Sequence, residues 1–211
     1  MVGKKSESVN GHILDACYAG INLWNNATLE VAAVYNFANE KEHQTVKADD
    51  GVMLTAILQQ GLSNGFNQTV LPYGTSSYSA QMADLGSGAW FDRSGDKNDA
   101  KGYRLINWGV VSFGDNIEVS HQLMYAASTD AEYSDGIKNS KVTVNGDHSL
   151  MSVVIRPMYK WNQNMKTILE LGVFSESYDG REDKGGSKMT IAQAWSMGDS
   201  FWARPELRVF A

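Results

Sequence analysis

The chain has 211 residues, 43% hydrophobic and 20% charged, with a formal net charge of −6. That length supports one sizeable domain, and an acidic chain whose only basic cluster is Lys4-Lys5 argues against a nucleic-acid partner, which requires a basic face. No apolar run reaches the ~18 residues of a membrane helix, which leaves a membrane barrel open because barrel strands alternate.

The alternation predicts about ten strands in one domain spanning residues 1–211. The first covers residues 12–21 and the second 28–38, where Leu29, Val31, Ala33, Tyr35 and Phe37 oppose Thr28, Glu30 and Asn36. The third covers 52–62 and the fourth 66–75. The fifth, 101–112, alternates poorly. The sixth, 116–127, recovers, with Ile117, Val119, Leu123 and Tyr125 against Asn116, Glu118, Ser120 and Gln122. The seventh covers 150–161 and the eighth 165–178. Residues 188–211 read as a final pair around a turn at Gly198-Asp199-Ser200. In the last strand Phe201, Ala203, Pro205, Leu207, Val209 and Ala211 form an apolar face, and Trp202, Arg204, Glu206 and Arg208 form the opposite one.

Short turns at Trp24-Asn25-Asn26, Ser63-Asn64-Gly65, Phe113-Gly114-Asp115 and Asn162-Gln163-Asn164 alternate with long polar segments at 39–50, 76–100, 129–148 and 179–187. An up-and-down meander with tight turns at one rim and loops at the other has this asymmetry, as transmembrane barrels do. Aromatics near strand ends, at Trp24, Tyr159, Trp161 and Trp195, suit an interfacial belt. A soluble sandwich built on the same strands would place the apolar faces in a core instead. One cysteine, Cys17, rules out an internal disulfide framework. The residues after Met1 are polar and contain no signal-peptide core, so the protein is soluble or its true start lies upstream.

Gly61-Leu62-Ser63-Asn64-Gly65 matches the nucleophile-elbow pattern, but a strand follows it where that motif needs a helix, so a hairpin turn is expected and no enzyme. His12, His43, His121 and His148 are scattered without metal-ligand spacing. Asp92, Asp96, Asn98 and Asp99 offer oxygens for calcium, but their spacing is not that of an EF-hand, and a solvated acidic loop accounts for them. No cofactor is expected. The unusual feature is the pair of rings on polar faces. Trp202 lies with Arg204, Glu206 and Arg208, and Phe66 shares a face with Gln68. An aromatic ring beside charged hydrogen-bonding groups suits a sugar, whose C–H face stacks while its hydroxyls are bonded. Packing against an inward-folded loop is the plainer account of the same rings. Two functions remain open: a sugar-passing pore, and a soluble all-β carbohydrate-binding module without a pore.

The segments VIRPMYKW (154–161), MTIAQAWSMGDSFWARPELRVFA (189–211) and LSNGFNQ (62–68) resemble the maltoporin family of outer-membrane sugar porins. The earlier LDACYAGI (14–21) and TLEVAAVYNFANE (28–40) are more similar to its carbohydrate-porin and sucrose-porin relatives. The resemblance implies an 18-stranded antiparallel barrel, homotrimeric, in the Gram-negative outer membrane. It implies passive diffusion of ions and maltodextrin-like or other oligosaccharides, and in some relatives a phage receptor on the outer loops. Phe66 and Trp202 match two positions of the aromatic track that guides sugars in the family, with Arg204, Glu206 and Arg208 as lumen polar groups. The resemblance also implies that about seven upstream strands, the constriction loop and the last strand lie outside this stretch. Cys17 falls at a lumen-facing place where relatives tend to carry Arg, and Pro72 falls inside a strand paired on both sides.

Overall fold

The computed structural model describes residues 10–39, 50–83, 99–134 and 143–211. Ten strands form one antiparallel sheet in chain order. They are β1 (Asn10–Trp24), β2 (Ala27–Asn39), β3 (Gly51–Leu62), β4 (Gly65–Thr75), β5 (Lys101–Phe113), β6 (Ile117–Ser134), β7 (Thr143–Asn162), β8 (Met165–Tyr178), β9 (Lys184–Ser196) and β10 (Glu206–Phe210). The meander predicted from alternation is the observed topology. The sheet is not closed: among the described residues β1 pairs with β2 alone and β10 with β9 alone.

β6 and β7 outrun their predicted ends furthest. β6 and β7 continue into the expected 129–148 loop, from Ala131↔Gly146 to Ser134↔Thr143, past an irregularity after Ser128. Asp130 sits there at φ 53°. A hairpin satisfies its own backbone groups wherever it runs, so the ladder needs no apolar core to go on. Pro72 pairs with Thr55 of β3, and the β4–β5 register passes from Val70↔Ile106 to Tyr73↔Tyr103 without it. The side lacking an amide donor is thus left out of the ladder.

The two faces differ in what covers them. Along β8, Lys166 and Ile168 are buried while Leu171 and Val173 are exposed. Among the described residues, the face of Lys166 and Ile168 carries the two segments that fold back over the sheet, and we call it inner. One such segment follows β4: a 3-10 turn (Ser76–Tyr78) and helix α1 (Ser79–Ala83), with Tyr78 and Met82 buried. Arg104 on β5 holds it, donating from Nε to the Met82 carbonyl at 2.7 Å and from Nη2 to the Gln81 carbonyl at 2.8 Å. Those carbonyls lie at a helix end, where nothing within the helix can bond them. Asn36 on β2 donates to Ser77 Oγ at 2.7 Å. Close contact needs glycine beneath: a Cβ on Gly102 would fall 2.3 Å from the Ser79 carbonyl oxygen.

The second inner segment, residues 197–205, corrects the sequence expectation. No tight hairpin forms at Gly198-Asp199-Ser200, and the last strand starts at Glu206 rather than Phe201. Trp202 and Arg204 are therefore loop residues, and strand alternation does not put them on one face with Glu206 and Arg208. Phe201, expected on the apolar outer face, instead packs inward against Met158, Ile168, Ala192 and Ala194. Its N–H donates to Glu118 Oε2 on β6 at 2.9 Å, and Glu118 pairs with Lys160 at 2.7 Å. Arg204 turns back on the loop, donating to the carbonyls of Ala203 at 2.8 Å and Phe201 at 3.3 Å. Lys166 is the main anchor. Its side chain is 1% exposed, and Nζ lies 3.0 Å from Glu206 Oε2. Nζ also donates to the Ser200 carbonyl at 3.0 Å. Alternation could not foresee this, because it sees parity along a strand and not a buried cation that draws a loop inward.

Glu206 and Arg208 do face inward, opposite Ser196 and Ala194, while Leu207 and Val209 point outward. Cys17 is exposed on the inner face of β1, opposite Ala32.

The outer face has no second layer among the described residues. Leu54, Leu71, Leu105, Leu123, Met151, Ile155, Leu171, Val173, Ile191, Leu207 and Val209 are all exposed on it. A soluble sandwich would cover them, and water does not tolerate an apolar patch of that extent. The isolated chain should consequently need detergent. Sedimentation in detergent-free buffer should show aggregate, and a monodisperse monomer would contradict the bare face. Lys166→Ala should leave the buried Glu206 Oε2 without its cation, with Arg208 holding only Oε1, and cost about 3 kcal/mol of stability. The paired change Lys166→Met with Glu206→Gln should recover most of that loss in a urea titration of the detergent-folded chain. Full additivity of the two changes would show that the pair does not hold the loop.

Candidate functional site

The inner face gathers an aromatic constellation. Phe66 is the second residue of β4, and its inward parity is shared by Gln68. Trp202 reaches it from the loop anchored by Phe201 and Lys166. The Phe66 and Trp202 ring centroids are 6.4 Å apart with planes at 31°. The structure thus brings together the two rings singled out from the sequence. Trp202 is exposed on this surface, whereas Phe201, 5.0 Å away at 74°, serves as its partly buried base.

A third ring joins them that alternation missed. Trp108 on β5 meets Phe66 edge to face, at 5.1 Å and 84°. Its Nε1 donates to Gln68 Oε1 at 2.7 Å, and Gln68 Nε2 donates to Gln59 Oε1 at 2.9 Å. The register sets Gln59, Gln68, Trp108 and Gln122 directly opposite one another across β3, β4, β5 and β6. Trp108 was hidden because β5 alternates poorly, and the structure shows why. Its inner residues Ile106, Trp108 and Val110 are apolar and at least partly covered, while its outer Asn107 donates to Thr69 Oγ1 at 2.9 Å. His121 Nε2 lies 3.0 Å from Asn107 Oδ1 and 3.2 Å from Asn67 Oδ1, so His121 is engaged in an outer-face polar network.

Charged groups flank the rings. Arg208 bonds Glu206, Arg156 bonds Glu170, and Lys188 pairs with Glu170 at 3.0 Å. Trp108, Val110, Ser120, Gln122, Arg156 and Phe201 line one hollow here. An apolar ring surface edged by amides and ion pairs can bind a ligand with an apolar face and a hydroxylated rim.

The other sequence motifs find no such setting. Ser63 and Asn64 form the turn of the β3–β4 hairpin, with no helix after them. Among the described residues no three His, Cys, Asp or Glu side chains gather to hold a metal ion. Asp92, Asp96 and Asn98, weighed for calcium, lie outside the described residues, as does His43; Asp99 lies just before β5.

The outer surface supplies the setting. Tyr35, Tyr73, Tyr103 and Tyr125 stand exposed toward the long-loop rim. Trp24, Phe113, Tyr159, Trp161 and Trp195 stand toward the short-turn rim, and the space between is apolar apart from the network of Asn67, Thr69, Asn107 and His121. Two aromatic belts around an apolar band are the outer surface of a membrane barrel.

Comparison with known proteins agrees with this arrangement. The sequence model of the LamB porin family matches residues 2–211. Maltoporin from Vibrio cholerae serotype O1 is 51% identical over 212 residues, covering 95% of this chain and 52% of that protein. Maltoporin from Vibrio parahaemolyticus is 51% identical over 201 residues, covering 95% and 69% respectively. Maltoporin from Photobacterium profundum is 44% identical over 208 residues, covering 98% and 46%. The chain thus spans about half the length of the first of these relatives. A solved outer membrane channel from Pseudomonas putida F1 gives a TM-score of 0.42 at 14% identity, covering 96% of this chain and 74% of that one, too distant to bear on the fold. With the whole described sheet inside the matched span, the chain belongs to the LamB porin family.

Proposed function

We propose that this chain forms ten strands of the wall of an outer-membrane porin that passes oligosaccharides by passive diffusion, together with ions. The observation that carries it is the contrast between faces. The outer face is an uncovered band between aromatic belts, apolar except where Asn67, Thr69, Asn107 and His121 bond one another, and the inner face holds rings set among ion pairs. A wall with lipid on one side and water on the other requires that distribution. Phe66 and Trp202 are the sugar-stacking surfaces, and Arg204, Glu206 and Arg208 the polar groups of the lumen. Arg204 acts chiefly by closing the loop that presents Trp202, since its guanidinium bonds that loop's carbonyls.

The chemistry proposed is binding and passage, with no bond made or broken. Maltodextrin-like sugars are the favoured class, by family resemblance and by the maltoporin relatives. The complete protein is a homotrimer in the Gram-negative outer membrane on the same grounds. Its long-loop rim would be the surface open to phage.

In the complete porin carrying this chain, Trp202→Ala should remove one stacking surface. An aromatic contact of about 0.5–1.5 kcal/mol corresponds to a roughly 2- to 13-fold loss of sugar affinity. Leu207→Ala, on the outer face, should leave sugar affinity unchanged. The measurement is titration of maltohexaose-induced current block in planar bilayers. Reduced block by the Leu207 variant and none by the Trp202 variant would invert the assignment of faces.

A further inference from the structure

Beside Phe66 the hydrogen bonds run in one direction only. An indole N–H can donate and never accept, so Trp108 Nε1 at 2.7 Å obliges Gln68 to present its carbonyl oxygen. The Gln68 amide nitrogen is thereby turned toward Gln59, and at 2.9 Å it obliges Gln59 to present its own carbonyl oxygen. The Gln59 amide nitrogen is left at the end of the relay, with two N–H groups to give. Gln68 keeps one more. A glutamine amide flips at little cost when both ends can be solvated, so an unanchored row of amides would present a mixture of donors and acceptors. The indole removes that freedom.

We infer that Trp108 is a positioning residue that orients Gln68 and Gln59 into an edge of N–H donors for the hydroxyl oxygens of a sugar stacked on Phe66. This rests on the pore function proposed above and adds to it the polar partner of the aromatic surface. Trp108 also meets Phe66 edge to face at 84°, so the same residue sets the ring and the donor edge at once. The three side chains stand directly opposite one another on β3, β4 and β5, neighbours at ~4.8 Å strand spacing, so the edge is held by sheet register and not by a loop. A ligand presenting hydroxyl oxygens in a row is matched by donors in a row; an amide row of mixed orientation would leave some of those contacts unmade.

The test uses the complete porin carrying this chain, with maltohexaose as the probe and current block as the readout. Trp108→Phe keeps a ring against Phe66 and deletes the N–H. It should weaken block roughly 3- to 10-fold, the worth of one or two hydrogen bonds, mainly through faster sugar release. Gln59→Leu should weaken block by a similar factor. In a background carrying both Gln59→Leu and Gln68→Leu, Trp108→Phe should have little further effect, because both amides it orients are already gone. Additive losses would overturn the relay and reduce Trp108 to packing; so would an unchanged affinity in Trp108→Phe. A sugar-independent readout separates this from the pore function. The Trp108 indole N–H resonance, assigned by its loss in Trp108→Phe, should move upfield in Gln68→Leu. If it does not move, the relay is absent while the pore stands. If the unmodified porin shows no maltohexaose block at all, the pore function fails, and the donor edge fails with it.

Discussion

Every backbone donor and acceptor in hydrocarbon must find a partner within the protein, and this constraint governs the structure. A meander of neighbouring antiparallel strands meets it, with every strand from β2 to β9 bonded on both sides. Once the ladder satisfies the backbone, the side chains are free to divide by parity. One face then needs no cover, because its surroundings are themselves apolar. That is why, among the described residues, large side chains such as Leu171, Val173 and Ile191 stand exposed without a second layer, and why the two described segments that cover the sheet both fold to the opposite face.

The inner face follows a different rule. It is wet enough for ion pairs yet crowded enough to bury a lysine. Lys166 would be costly alone at 1% side-chain exposure; with Glu206 and the Ser200 carbonyl around it, it becomes the fixed point of a loop. That loop carries Phe201 as its base and Trp202 as its exposed ring. The segment after β4 is held by analogous means, with Arg104 bonding helix carbonyls and glycine beneath them. Both devices narrow the inner side without disturbing the outer one. Order in the wall, from sheet register, is thereby turned into the placement of single rings.

Most of the fold was legible in the sequence because period-two patterning and the rhythm of short and long connections are local properties. β8 was found to the residue, and β3 and β4 within one. What was not legible depended on contacts distant in sequence. Residues 201–205 alternate as well as a strand does, but Pro205 has no amide to give, and Lys166 and Glu118 offer their loop better partners than β9 would. The Phe66–Trp202 meeting was legible only through family resemblance. Trp108 was missed because the signal that finds strands is lost when apolar side chains are needed on the inner face, as on β5. A ring in register with two glutamines on adjacent strands was the clue available, once the pairing was known.

The division into a lipid face and a wet face is the claim on which the rest stands, and spin labels can test it strand by strand. The porin, with Cys17 replaced, would carry single labels at successive positions from Met151 to Ile155 on β7 and be reconstituted in lipid. Oxygen partitions into hydrocarbon and a nickel chelate stays in water. The structure predicts that Met151, Val153 and Ile155 favour oxygen while Ser152 and Val154 favour the chelate. Uniform accessibility along the strand, or the opposite phase, would contradict it.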